Sequence, residues 1–137
     1  MGGAWIAERL ADDLGMPHYG VINVAFHRDD YAEKGMTALR TASTMTTHLP
    51  FEVNGANIIL IDDVFYTGRT IRAAMNELFD YGRPASITLA VLVNRGGREL
   101  PIAPQISAFD THLDAQENLQ LLRHDDGKFY FSLKENA

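Results

Sequence analysis

Cysteine is absent from this chain of 137 residues, so neither a disulfide framework nor a thiolate metal site can be built. No apolar run approaches the roughly 20 residues needed to span a bilayer. No basic-then-apolar leader opens the chain either. A cytoplasmic protein without a membrane partner is therefore expected. Positive charge is also short: the formal net charge is −6, which argues against a dedicated nucleic-acid binder relying on cationic neutralisation of phosphates. No internal repeat or low-complexity segment is present. His18, His48, His112 and His124 lack metal-ligand spacing and read as surface residues.

What is present is an ordinary globular composition, 46% hydrophobic and 22% charged, at a length that suits one domain with one core. Residues 1–137 are expected to form that single domain. Trp5, Ile6, Leu10 and Leu14 make a helical stripe, stopped by Gly15 and then Pro17. Tyr19 to Phe26 reads as a strand. Residues 27–50 are polar, rich in Thr and Ser and aperiodic, so they read as a long loop of the kind that usually serves a site. A second strand covers 58–63, and a helix Thr70 to Tyr81, where Ile71, Ala74, Met75, Leu78 and Phe79 recur at helical spacing. Gly82 and Pro84 end that helix. Ser86 to Val93 is a third, almost wholly apolar strand, and Gln105 to Phe109 a short fourth. Phe129 to Leu133 reads as a terminal strand introduced by the turn Asp125-Asp126-Gly127. Strands alternating with helices predict an α/β fold with an open, mainly parallel sheet. Ligands in such sheets bind beyond the carboxyl ends of the strands, where Asp62-Asp63, Asn94-Arg95 and His27-Arg28 would converge.

The most informative stretch is Ile58-Ile59-Leu60-Ile61-Asp62-Asp63-Val64-Phe65-Tyr66-Thr67-Gly68-Arg69-Thr70. Its four aliphatic residues suit a parallel strand covered on both faces, which is a continuous apolar run and not an alternating one. Two carboxylates sit where that strand should end, and a small polar loop then leads into a helix. Carboxylates accept hydrogen bonds from vicinal hydroxyls. The Thr/Gly loop offers backbone N–H groups, hydroxyls and a helix N-terminus to an anion. A sugar phosphate answers both halves. An acidic pair also occurs in receiver domains, where it binds Mg2+, and elsewhere as plain surface charge. A receiver, however, carries its pair near the first strand and has no need of Thr67-Gly68-Arg69-Thr70. Five of the nine arginines lie between positions 69 and 98. Arg72 and Arg83 read as solvated surface charges, and Arg69 as part of the phosphate loop.

This string resembles the phosphoribosyl-pyrophosphate motif of the type I phosphoribosyltransferases. The flanking Arg72-Ala73-Ala74-Met75, Asp80-Tyr81-Gly82-Arg83-Pro84-Ala85 and Arg98-Glu99-Leu100-Pro101-Ile102 are similar to the PyrR group. Those proteins are uracil phosphoribosyltransferases that in some bacteria also bind pyrimidine-operon mRNA. The resemblance runs from about Gly2 to about Ile106. It implies a flavodoxin-like strand order and an enzyme forming UMP and pyrophosphate from uracil and phosphoribosyl pyrophosphate. It further implies that Asp62 and Asp63 hold the ribose 2- and 3-hydroxyls, with Mg2+ bridging ribose and pyrophosphate oxygens and meeting the pair only through the ligand. Thr67, Gly68, Arg69 and Thr70 would wrap the 5-phosphate, and Gly2 and Gly3 would belong to the pyrophosphate loop. Arg28, at the root of the loop that closes over the site, would approach pyrophosphate, its bland alternative being a surface ion pair with Asp29 or Asp30. Val93, Asn94 and Arg95 would hold uracil.

Relative to that family the chain reads as shortened at its N-terminus, starting at the end of the pyrophosphate loop. The central first strand, which in the family lies between the counterparts of 19–26 and 58–63, is then missing. A gap there would leave backbone edges that pair with each other, recruit a partner chain or leave the chain markedly unstable. A homo-oligomer is expected. Asn94 stands where PyrR members commonly have Asp, and Gly97 where they have His. With the −6 charge, loss of that His and of a downstream basic segment disfavours RNA as a partner. Three readings follow from the same fold: an active uracil phosphoribosyltransferase, an RNA-binding attenuator, and a phosphoribosyl-ligand-binding protein without turnover.

Overall fold

The computed structural model describes residues 2–24 and 47–135. Helix α1 spans Gly2–Asp13 and buries Ala11. It ends as the sequence predicts: Gly15 takes φ +68°. Met16 N–H donates to Ala11 C=O at 2.8 Å, and Gly15 N–H to Asp12 C=O at 3.1 Å. That pair of bonds is the Schellman arrangement, which only a residue tolerant of positive φ completes cheaply. Leu14, the last residue of the predicted stripe, lies just past the helix and is exposed.

Three parallel strands form the main sheet: β1 (Asn57–Phe65), β2 (Ser86–Asn94) and β3 (Ile106–Asp110), in the order β1-β2-β3. Leu60 faces Leu89, Asp62 faces Val91 and Phe65 faces Asn94 across β1 and β2. Helix α2 (Arg69–Tyr81) is the crossover between them. Its apolar stripe buries Ile71, Ala74 and Leu78. Leu60, Phe65, Leu89 and Val91 join Ile71 and Ala74 in the core. The α/β class and the parallel sheet are thus as expected. The acidic pair differs in one respect: it lies inside β1, because the ladder continues through Val64 and Phe65 to pair with Val93 and Asn94.

The strand expected over 19–26 does not form in its described part. Residues 19–24 carry one antiparallel bridge, Val21 to His48; Ala25 and Phe26 lie outside the described residues. Ile22 and Val24 still pack on the core, but a strand needs a continuous partner for its backbone. Among the described residues, 19–24 do not pair with β1, and β2 is the one strand seen on β1. Instead an apolar cleft of about 480 Å³ lies between α1, residues 16–24, β1 and α2. Ile59 opens into it and is half exposed.

The C-terminal part is an antiparallel hairpin, β4 (Glu117–Arg123) with β5 (Phe129–Glu135). The turn at Asp125–Gly127 is as predicted, with Gly127 at φ +91°. Sequence reading supplies β5 but not β4. Leu119 and Leu121 alternate there with Asn118 and Gln120, but the alternation is broken at once by Leu122 and is too short to stand out as a strand signal. The hairpin meets α1 through Trp5, whose ring stacks on Phe129 at 6.3 Å with Arg123 Cζ 4.6 Å from its centroid. Among the described residues no helix is long and apolar enough to cross a membrane.

Candidate functional site

The site grows from the last third of β1. Each carboxylate of the acidic pair accepts from the next backbone N–H: Asp62 Oδ1 from Asp63 and Asp63 Oδ1 from Val64, both at 2.9 Å. These bonds hold the two side chains in fixed directions. The N-terminus of α1 lies directly over them. A Cβ on Gly2 would overlap Asp63 Oδ2, and one on Gly3 would sit 3.0 Å from Ile61 O and 3.2 Å from Asp62 Oδ1. The two glycines are therefore what lets the start of α1 reach the acidic pair. Sequence reading places Gly2, Gly3, Asp62 and Asp63 in one site, and the structure brings these four together.

Beyond Phe65 the chain turns at Tyr66, Thr67 and Gly68 before α2 begins. Gly68 adopts φ +99°, a left-handed conformation that L side chains rarely take. Arg69 N–H donates to Thr67 Oγ1 at 3.1 Å, so the hydroxyl folds the loop back on itself. The N-cap residue of α2 is Gly68, which has no side chain to cap the first-turn N–H groups. Thr67 and Gly68 are buried, Thr70 is half-buried and Arg69 is exposed. The Arg69 guanidinium pairs with Glu99 at 3.3 Å, both side chains lying about half in solvent.

The third piece follows β2. Val93 is buried at the end of the strand, and Arg95 N–H donates to Phe65 C=O at 3.1 Å, so the two loops leave the sheet side by side. Asn94 Oδ1 accepts from Gly96 N–H at 3.3 Å. Thr67 C=O accepts from Glu99 N–H at 2.9 Å, tying the second loop to the first. Residues after β3 cover this loop: Thr111 N–H donates to Asn94 C=O and Leu113 N–H to Arg95 C=O. The Arg95 side chain is turned inward and almost fully buried.

Arg28 lies outside the described residues. Sequence reading assigns no task to Tyr66, Glu99 or Asp114. Tyr66 stands inside the motif, but its ring packs against residues about 30 positions away, which no local pattern reveals. Arg72 and Arg83 are exposed, as expected of solvated charges.

A family profile described as phosphoribosyl transferase domain matches residues 1–126. The chain is 59% identical over 126 residues to the bifunctional protein PyrR of Ralstonia nicotianae, covering 92% of this chain and 70% of that protein. It is 48% identical over 136 residues to the bifunctional protein PyrR of Nitrosococcus oceani, covering 97% and 73%. Among solved structures, a hypoxanthine phosphoribosyltransferase from Staphylococcus aureus superposes with a TM-score of 0.55 at 13% identity, over 85% of this chain and 60% of that one. This last likeness speaks to fold alone.

Proposed function

The chain belongs to the phosphoribosyl transferase domain family and, within it, to the PyrR group, and on that membership we propose that it is a uracil phosphoribosyltransferase. The observation that carries the reading is the meeting of Gly2 and Gly3 with Asp62 and Asp63 beside the Thr67–Thr70 loop. In this reading the glycine backbone serves pyrophosphate, the two carboxylates serve the ribose hydroxyls, and the helix N-terminus that follows β1 serves the 5-phosphate. In the reaction the uracil N1 attacks ribose C1, the bond from C1 to pyrophosphate breaks, and the N1 proton leaves to solvent. The protein forms no covalent bond; it aligns the reactants and stabilises charge.

Asp62 and Asp63 accept from the 2- and 3-hydroxyls. Their orientation is already set by the bonds to Asp63 N–H and Val64 N–H. Thr67, Gly68, Arg69 and Thr70 surround the 5-phosphate. The Gly2 and Gly3 backbone borders pyrophosphate, and Arg28 completes that subsite. Val93, Asn94 and Arg95 form the base loop. There the Asn94 amide both donates and accepts, while the buried Arg95 side chain leaves only its backbone to face a base.

The donor set fits Mg2+. Among the described residues no group of three or more His, Cys, Asp or Glu that could hold a metal ion comes together. Mg2+ is commonly held by one or two carboxylates together with substrate phosphate oxygens. When bound it neutralises charge developing on pyrophosphate; Asp62 and Asp63 would hold it through the ribose hydroxyls.

A homo-oligomer belongs to the same reading. Ile59, Ile106 and Phe109 are large apolar side chains that stand exposed on the sheet, as interface residues do. Sedimentation over a concentration series tests this.

Calorimetric titration with phosphoribosyl pyrophosphate and Mg2+, followed by a uracil turnover assay, tests the function. Saturable binding with release of UMP is expected. Binding without UMP would instead select the ligand-binding reading, and no binding would remove both.

A further inference from the structure

Three loops meet at the carboxyl end of the sheet, and the side chain between them is Arg95. Only 4% of it is exposed. One guanidinium nitrogen, Nη2, donates to Asp114 C=O at 2.8 Å, while Nε makes no hydrogen bond. Its Cζ lies 4.0 Å from the centroid of the Tyr66 ring. A buried guanidinium with an orphan N–H is a poor way to fill space, because desolvation of the charge is costly and an apolar side chain would fill it better. What the arginine adds is geometry: a flat cation that stacks on a ring while holding a carbonyl from a third segment.

A second contact constrains the same ring. Gly97, at φ +90°, leaves room for Tyr66; a Cβ there would stand 2.5 Å from ring Cε1. Tyr66 therefore meets both a planar cation and bare backbone, each supplied by the loop after β2. Tyr66 is also the residue immediately before Thr67. Its placement thus sets where the phosphate loop begins relative to the base loop.

We propose that Arg95 is a positioning residue: through its stack on Tyr66 it fixes the spacing between the Thr67–Thr70 loop and the Asn94–Gly97 loop. The inference rests on the proposed assignment of those loops to phosphate and base. Transfer requires the reacting atoms to be held within about 3–3.5 Å, so a shift of the order of an ångström between the two subsites costs about 100-fold in rate. A ligand spanning both loops feels the spacing; one confined to a single loop does not.

The test compares UMP, which spans both, with ribose 5-phosphate, which engages the phosphate loop and the acidic pair of β1 but does not reach the base loop. Both are titrated calorimetrically into the full chain and into Arg95→Met, Tyr66→Leu and Gly97→Ala. The last variant crowds the ring edge, at a φ that L side chains rarely adopt, and removes no buried group. The expected result is a loss of about tenfold in UMP affinity in each variant, with ribose 5-phosphate affinity within about twofold of the parent. Arg95→Met and Tyr66→Leu combined should be no worse than either alone, since they disable one device. If the variants lose both ligands equally, or neither, or fail to fold, Arg95 is structural and the proposal falls while the site assignment stands. If the parent chain binds neither ligand, the assignment itself fails and takes the proposal with it.

Discussion

Individual residues at this site are constrained by what lies within a few ångströms. Asp62 and Asp63 sit in the last third of a mostly apolar strand, each anchored by a backbone N–H. Asp62→Asn with Asp63→Asn keeps the size of both side chains and should leave the fold intact. It weakens two charge-assisted acceptors, each worth about 1.5–3 kcal/mol. Calorimetry should therefore show phosphoribosyl pyrophosphate binding weakened by at least tenfold; an unchanged affinity would remove the pair from the site. Gly2 offers a second check. A methyl group there collides with Asp63 Oδ2, so Gly2→Ala must move either the carboxylate or the start of α1. Ligand affinity should fall while the melting temperature changes little, and equal affinities in the two proteins would contradict that geometry. These residues were legible in sequence because their types announce their chemistry. Tyr66 was not, since its meaning comes from Arg95 and Gly97, which only folding brings to it.

Elements were legible where one local signal dominated. The continuous apolar runs of β1 and β2, the 3.6-residue stripe of α2 and the Gly15 stop all act within a few residues of themselves. The stretch from Tyr19 failed for the opposite reason: its apolar character is real and Ile22 and Val24 do pack on the core. A ladder, however, needs a neighbour that no single segment encodes. The hairpin shows the same limit, since β4 is strand by virtue of β5. Its anchor is Leu121, only 3% exposed. Leu121→Ala should destabilise the protein by about 2–5 kcal/mol through lost transfer energy and the cavity left behind, read as a lower urea midpoint with an unchanged slope. A midpoint shift of under about 0.5 kcal/mol equivalent would mean that the hairpin melts independently of the core. The contact between Trp5 and Phe129 is the second tie. A double-mutant cycle to alanine should give a coupling of about 0.5–1.5 kcal/mol, the range for stacked aromatic pairs.

Charge is the property that belongs to the molecule as a whole. The relatives carry the name bifunctional, and the family resemblance adds mRNA to their ligands, yet this chain has 18 acidic residues against 12 basic ones. Polyanion binding is driven by release of condensed counterions, and each phosphate neutralised adds about 0.7–0.9 to the slope of log affinity against log salt. A surface with excess negative charge gathers few such contacts and repels the rest of the backbone. The described basic side chains are also partly committed: Arg69 pairs with Glu99, Arg9 with Asp13, and Arg95 is buried. Any binding to a pyrimidine-operon leader should therefore be weak at physiological salt, with a slope magnitude below about three, corresponding to about three phosphates or fewer. Gel shifts across 50–300 mM salt measure it directly. Nanomolar, sequence-selective binding with a steep slope would show that a basic surface is assembled despite the net charge. The attenuator reading would then stand beside the transferase.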